Sequence, residues 1–534
     1  MNFGKNGTVR NKLIQEIKDY YQVVKNRRIE SLFLEKNRFK KFSREASGIF
    51  LDFSKTNIDN IQLDLLMKLL SNSSFSTARE DLFEGRKINY TEGKPALHTS
   101  IRSPLQPILV GNKNVAEELL AEQKKMIEFC ERVQSGSIVS ATGKRFTDVV
   151  NIGIGGSQLG PEMVINALKT SKNLLNIHFL SNIDPSNLID VLDNLNPETT
   201  LFVVVSKSFN TLETLKNATS VEKWLREHLK SGNSIQKHFV AVLSDTHKIE
   251  NFSFQFGYKF KIHDFIGGRY SFWGVAGISI MLGLGVDNFN KILAGGASMD
   301  KHFRHSEVDK NLPALLGLIG VWHSSFCNYT NLAIIPYESR LEFFPRYIQQ
   351  LQMESNGKNS SRYGETVSGL MSPVVWGDIG TNSQHSFFQY LHQGTHTVPI
   401  EFIVGRSSSV GLDEEHHDLL KLNCVAQSEA LMSGNSDNEE SSPMSIEGNK
   451  PSITLIYDKL DPFTLGALVA LYEHKVFVEG ILLGINSFDQ FGVELGKSLA
   501  KKYMSDLYSN SLFSRKNSNL SKDLLRQLFK DKNG

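Results

Sequence analysis

From about residue 146 to 265 the chain alternates short, continuous apolar runs with stretches whose apolar residues recur at helical spacing. The runs are Val149–Ile154, Ile177–Ser181, Leu201–Val205, Phe239–Leu243 and Tyr258–Ile262, and Glu213–Leu229 is a helical stretch between two of them. A strand that is apolar throughout, rather than at every second residue, is buried on both faces, as in a parallel sheet covered by helices. A second set follows at Leu332–Ile335, Ile400–Val404 and Ile453–Tyr457, again separated by helical segments. Two doubly wound α/β domains are therefore predicted, and such folds bind ligands beyond the carboxyl ends of their strands.

The flanks read differently. Residues 10 to 45 predict helix rich in Lys and Arg, but Glu16, Asp19, Glu30 and Glu35 are interleaved, so solvated helix faces are favoured over a nucleic-acid arm. Phe272 to Val286 is the longest apolar stretch; it is glycine-rich and too short to span a bilayer, and it is read as a buried helix. Ser433–Lys450 is polar and read as a surface loop, and the tail after about Tyr508 is polar, basic and expected to fray. The expected organisation is an N-terminal helical segment over 1–110, a first sheet domain over 111–285, a second over 286–505 and a tail over 506–534. No short-period repeat interrupts this plan.

Composition narrows the possibilities. In 534 residues, 59 Lys and Arg stand against 57 Asp and Glu, a net charge of +2, which gives no whole-chain argument for nucleic acid or an anionic membrane. Cys130, Cys327 and Cys424 are far apart and odd in number, which fits a reducing cytoplasm better than a disulfide framework. The opening MNFGKNGTVR has no apolar core of a secretory signal.

Six segments carry candidate chemistry. NIGIGGSQLGP (Asn151–Pro161) passes from strand to helix; its glycines admit close approach of a ligand, and Ser157 adds a hydroxyl at a helix start that favours anions. It lacks the dinucleotide and P-loop spacings. SKSFNTLET (Ser206–Thr214) offers Ser206, Lys207, Ser208 and Thr211 at the start of a helix, donors suited to a phosphate monoester, where simple N-capping explains only one hydroxyl. IGGRYSFWG (Ile266–Gly274) is read as placing Arg269 at a strand end, either to stabilise an oxyanion or to form a structural ion pair. YIQQLQMESNGK (Tyr347–Lys358) ends a helix at Asn356-Gly357 and leaves Glu354 in its last turn, a position open to a general base or to a solvated carboxylate. GTNSQHSFFQYLHQG (Gly380–Gly394) sets His385 at the start of an amphipathic helix. SFDQFGVELGKSLAKK (Ser487–Lys502) places Lys497 on a helix, where a snorkelling surface lysine is the plainer reading. The DEEHHD run (Asp413–Asp418) has no third histidine at ligand spacing, so no metal is expected.

In this order, with INYTEGKPALHTSIR (Ile88–Arg102) before them, these segments resemble the glucose-6-phosphate isomerase family over about residues 40 to 505. The resemblance implies two sugar-isomerase (SIS) domains of flavodoxin-like topology, a cofactor-free aldose–ketose isomerase of glycolysis and gluconeogenesis, and a homodimer. It implies that Ser206, Lys207, Ser208 and Thr211 hold the substrate phosphate beside Gly156 and Ser157. Glu354 corresponds to the base that moves the proton between carbons 1 and 2, and Arg269 to the group that stabilises the enediolate. His385, supplied across the dimer, and Lys497 correspond to the ring-opening pair; Gln350 and Gln490 correspond to substrate-contacting glutamines. The sequence departs from the family pattern at Lys94-Pro95, Asn210, Leu351-Gln352 and Phe491, none of them a catalytic side chain. Two alternatives accompany this reading: broadened specificity that admits mannose 6-phosphate, and a regulatory sugar-phosphate module, which would not need Glu354, His385 and Lys497 together.

Overall fold

A computed structural model describes residues 3–103, 107–170, 173–229, 234–250, 252–367, 370–411, 414–435, 442–508 and 522–529. The chain opens with a helix, Phe3–Val24, a 3-10 turn, Glu30–Leu34, and a short helix, Arg38–Lys41, and then forms a hairpin, β1 (Ser43–Ala46) and β2 (Ile49–Asp52). Ser47 and Gly48, both at positive φ (52° and 77°), make its two-residue turn, and Ile49 and Leu51 alternate with less buried residues, as a half-covered strand does. Of residues 10 to 45, expected to be helical, 10–24 and Arg38–Lys41 are helix and Glu30–Leu34 is a 3-10 turn; only from Ser43 does the chain turn to strand, because the Ser-Gly turn and the short alternation outweigh the surrounding helix formers.

The first sheet holds five parallel strands, β3 (Asp148–Ile152), β4 (Asn176–Leu180), β5 (Thr200–Val205), β6 (Phe239–Leu243) and β7 (Tyr258–Lys261), in the order β4-β3-β5-β6-β7. Every residue of β5 and β6 is buried, which explains their unbroken apolar sequence. Each of the five runs expected from the sequence is a strand. The order is that of a flavodoxin-like sheet, and it reverses between β3 and β5. The segments leaving those two strands at their carboxyl ends are therefore neighbours. One leads to helix α1 (Leu159–Leu168) and the other to α2 (Leu212–His228).

The second sheet combines β8 (Asn331–Tyr337), β9 (Val374–Trp376), β10 (Ile400–Gly405) and β11 (Ser452–Tyr457) with the hairpin, in the order β1-β2-β11-β10-β8-β9. β8 to β11 are parallel, whereas β2 runs antiparallel to β11 with Asp52 opposite Thr454. The sheet is thus mixed, and its antiparallel edge comes from the N-terminal segment.

Helices α3 (Val286–His305), α4 (Leu312–Val321), α5 (Phe344–Gln349) and α6 (Pro462–Leu483) complete the core. Asp461 caps α6 by accepting from Thr464 N at 2.8 Å, Gly484 closes it at φ 74°, and every residue from Leu465 to Leu483 is buried. A Cβ on Gly295 would lie 1.9 Å from Phe463 O, and one on Gly466 would lie 2.0 Å from Ile292 O, so α3 and α6 meet at a distance that only glycine allows. The charges on α6 are paired, as burial requires: Glu473 takes Arg102 and the indole N–H of Trp273 (2.8 Å), His474 meets Asp300 at 2.6 Å, and Lys475 meets Glu401 at 3.2 Å.

Phe272 to Val286 is buried, as expected, but it is not one helix. It divides into 3-10 turns at Gly268–Trp273 and Val275–Gly277 and a helix at Ile278–Leu284, which ends at Gly285 with φ 86°. The described residues form two compact units, Met1–Phe488 and Asp489–Gly534, and the second contains helix α7 (Glu494–Tyr508). Of the polar stretch Ser433–Lys450, residues 436–441 lie outside the described residues; its far end is anchored where Asn449 Oδ1 accepts from Ile29 N at 2.8 Å. Most of the tail after Tyr508 also lies outside them. No helix among the described residues is long and apolar enough to cross a membrane.

Candidate active site

The two loops at the reversal of the first sheet are built for close approach. After β3, a 3-10 turn at Gly155–Ser157 leads into α1, with Gly155 at φ +61°. A Cβ on Gly156 would lie 2.2 Å from the carbonyl of Gly268, so this loop lies directly against the turn that carries Arg269. Asn151, fully buried near the end of β3, donates to Ser157 O at 3.0 Å and accepts from Ser279 Oγ at 3.1 Å, which fixes the loop from beneath. After β5, Ser206 to Thr211 lead to α2, with Thr211 at the N-cap. Ser206 Oγ donates to Thr211 Oγ1 at 3.4 Å, and Phe209, at φ +50°, is buried against Phe252 and Phe256. Ser208 donates its hydroxyl to Asn210 Oδ1, and Lys248 Nζ reaches Ser208 O at 3.1 Å. Lys207 Nζ donates to the carbonyls of Asp264 and Ile266, each at 2.9 Å. Burial holds the Lys207 pKa below that of a free lysine, against the opposing pull of Asp264.

The carboxylate and the arginine arrive from different parts of the chain. Pro345 sits in the first turn of α5, and the helix then widens into a π-turn at Gln350–Glu354, an insertion frequent at functional sites. Glu354 lies in the final turn, as expected, with its side chain 22% exposed. Arg269 is buried, but it sits in the 3-10 turn Gly268–Trp273 beyond β7 rather than at a strand end, because Gly267-Gly268 turns the chain there. Its Nη1 is 3.4 Å from Glu354 Oε2, its Nε donates to Ser355 Oγ at 2.6 Å and its Nη2 to Ser487 O at 2.6 Å. Tyr270 OH is 3.1 Å from the same Ser355 Oγ, and Tyr347 OH donates to Arg269 O at 3.2 Å. Gln350 borders the glycine loop: a Cβ on Gly155 would lie 3.2 Å from Gln350 Nε2, and the buried Gln350 Oε1 has no hydrogen-bond partner among the described residues.

The site therefore joins Gly155 and Gly156, the turn held by Lys207, Arg269, Glu354 and Gln350. His385 stands elsewhere, exposed at the end of a 3-10 turn, Asn382–His385, and no hydrogen bond or ion pair among the described residues links it to Glu354 or Arg269. Its neighbour Gln384 accepts from Tyr337 OH at 2.8 Å and donates to Asn423 Oδ1 at 3.2 Å. Gln490 and Lys497 belong to the second compact unit, where Lys497 pairs with Glu494 at 2.9 Å. Asp413 lies outside the described residues; His417 Nε2 donates to Gly405 O at 2.9 Å, and Asp418 pairs with Lys421 at 2.7 Å. Ser355, Ser487 and Tyr270 are site residues that the sequence reading missed. The position of Ser355 directly after Glu354, before a helix stop, was the one local signal.

A doubly wound α/β enzyme with a hydroxyl- and lysine-bearing loop at its reversal point, facing a carboxylate held by a buried arginine, is the class defined by this fold and site. The sequence pattern described as phosphoglucose isomerase matches residues 52–523, and the chain belongs to that family. It is 42% identical over 502 residues to the glucose-6-phosphate isomerase of Jannaschia sp. (strain CCS1), covering 91% of this chain and 93% of the relative. It is 43% identical over 494 residues to that of Chlorobium phaeobacteroides, covering 89% and 88%. The crystal structure of a glucose-6-phosphate isomerase from Chlamydia trachomatis superposes with a TM-score of 0.83 at 34% identity, covering 93% of this chain and 95% of that one.

Proposed function

We propose that this chain is a glucose-6-phosphate isomerase, interconverting D-glucose 6-phosphate and D-fructose 6-phosphate through ring opening and a cis-enediolate. The observation that carries the reading is the pairing of Glu354 with Arg269 at 3.4 Å, within the site that also holds the glycine loop. A proton alpha to a carbonyl is weakly acidic, so its removal needs a positioned base and a cation for the charge that develops on oxygen. Glu354 takes the proton from carbon 2 of the open-chain aldose and returns it to carbon 1, while Arg269 stabilises the enediolate. Ser206, Lys207, Ser208 and Thr211, with Gly156 and Ser157, bind the phosphate, whose remote binding energy aligns the reacting carbons. Gln350 and Gln490 contact sugar hydroxyls, and His385 with Lys497 opens the ring. No cofactor enters these steps.

His385 acts across a homodimer in this reading. The helix Glu414–Ser433 packs on its segment through Asn423 and through a hydrogen bond between His392 and Gln427 (2.9 Å). The same helix leaves Leu419, Leu422 and Val425 exposed at 52%, 63% and 61%, three apolar residues at helical spacing for a second copy to cover. We place the enzyme in the cytoplasm, which suits three cysteines that are all unpaired and buried. The proposed domains are 111–285 and 286–505, with a helix-rich segment before them and a tail after. The deciding experiment is a coupled assay with fructose 6-phosphate in the presence of a chelator. Full turnover is expected, and absence of turnover by folded protein would overturn the assignment.

A further inference from the structure

Lys207 lies in the loop assigned to the phosphate, yet its ammonium is already engaged. It bridges the carbonyls of Asp264 and Ile266, each at 2.9 Å. These residues open the bend that continues through Gly267 and Gly268 to Arg269. The other phosphate loop touches the same bend, because Gly156 lies against the Gly268 carbonyl so closely that a Cβ would stand 2.2 Å from it. Both loops at the reversal of the first sheet thus press on or hold the backbone that delivers the guanidinium. An ammonium has three N–H donors, so two carbonyls leave one for an incoming oxyanion.

We propose that Lys207 is a positioning residue that couples the phosphate subsite to Arg269: one ammonium ties down the 264–268 bend and takes the substrate dianion, so that occupancy of the subsite sets the guanidinium against the reacting carbons. This rests on the sugar-phosphate reading above. A lysine that acted only through the phosphate would lose no more turnover than another phosphate donor of the same loop, such as Ser208, and a charge-preserving replacement would restore it. A lysine that also sets Arg269 contributes to kcat beyond that.

The test is steady-state kinetics of the full-length protein with fructose 6-phosphate. Lys207→Met is expected to lower kcat at saturation by about tenfold or more in addition to raising KM. Lys207→Arg keeps the charge but replaces a compact ammonium with a planar fork that does not fit between two carbonyls; it is expected to lower kcat with KM within about threefold of wild type. Ser208→Ala removes a hydroxyl from the same loop that makes no bond to the 264–268 bend, and its loss is expected to fall mainly on KM. A loss of kcat in Lys207→Met no larger than that in Ser208→Ala, or full recovery of kcat in Lys207→Arg, would overturn the coupling. If Lys207→Met does not fold, Lys207→Arg carries the same split. An inactive wild type would instead overturn the functional reading, which separates the two failures.

Discussion

Ser355 Oγ accepts a hydrogen bond from Arg269 Nε at 2.6 Å, one residue beyond the carboxylate that the same guanidinium meets at 3.4 Å. The base and the support of its cationic neighbour are thus consecutive residues at the end of one π-turn. Ser355→Ala removes one fixed acceptor from a buried arginine and loosens the guanidinium, which Ser487 O still holds through Nη2. Turnover of fructose 6-phosphate is expected to fall by about tenfold to a hundredfold with KM little changed, because the loss is felt where charge develops. Tyr270→Phe is expected to cost less, since Ser355 still holds Nε.

Glu354→Gln keeps the shape of the side chain and removes its basicity. Turnover is expected to fall by about 10²–10⁴-fold, the range typical of a general base, while fructose 6-phosphate still binds in calorimetry. Near-normal turnover would remove Glu354 from the mechanism.

Gln352, which departs from the family pattern, donates to Glu479 Oε2 at 2.5 Å and to Ser372 Oγ at 2.9 Å, and Glu479 lies 3.5 Å from Lys475. Lys475 already faces Glu401 at 3.2 Å. Gln352→Asp would place a third carboxylate in this buried cluster and is expected to destabilise by about 3–5 kcal/mol in urea unfolding. Adding Glu479→Gln should recover most of that loss, so that the double variant is more stable than the first single one.

Burial lowers the His302 pKa to about 4, with nearby His474 adding to the shift, and lowers that of His323 to about 3, with the Lys475 charge adding. An unfolded histidine takes up its proton near pH 6.5. Below that pH the unfolded chain binds protons that the native one does not, so stability falls as pH falls from about 6.5 towards 4. Above it both states are neutral and the contribution is constant. Urea midpoints should therefore be level from pH 7 to 8 and decline from 6.5 to 5, and His323→Leu should flatten the decline.

The parallel strands were legible because burial on both faces writes itself as unbroken apolar sequence, as in β5 and β6. The hairpin Ser43–Asp52 was not, because its two short strands lie within helix-forming surroundings and its turn is Ser-Gly rather than a stronger signal. At the site, Glu354 and Arg269 were identifiable from their motifs. The supports of Arg269 were not, because Ser355 and Ser487 meet it across 86 and 218 residues of chain, a relation that no local pattern encodes. Buried Arg102, Asp300, Glu473 and His474 were likewise invisible one by one, since each reads as a surface residue until its partners are in place.

Helix α6 is drawn from residues 462–483 of a 534-residue chain, and it fills the interior between elements made long before it. During synthesis the faces that α6 will cover, including those of α3 and α4, wait without their partner until most of the protein has left the ribosome. The isolated N-terminal sheet can pair its strands early, but the common interior closes late, so truncations that remove α6 should yield aggregation-prone protein rather than a smaller working enzyme.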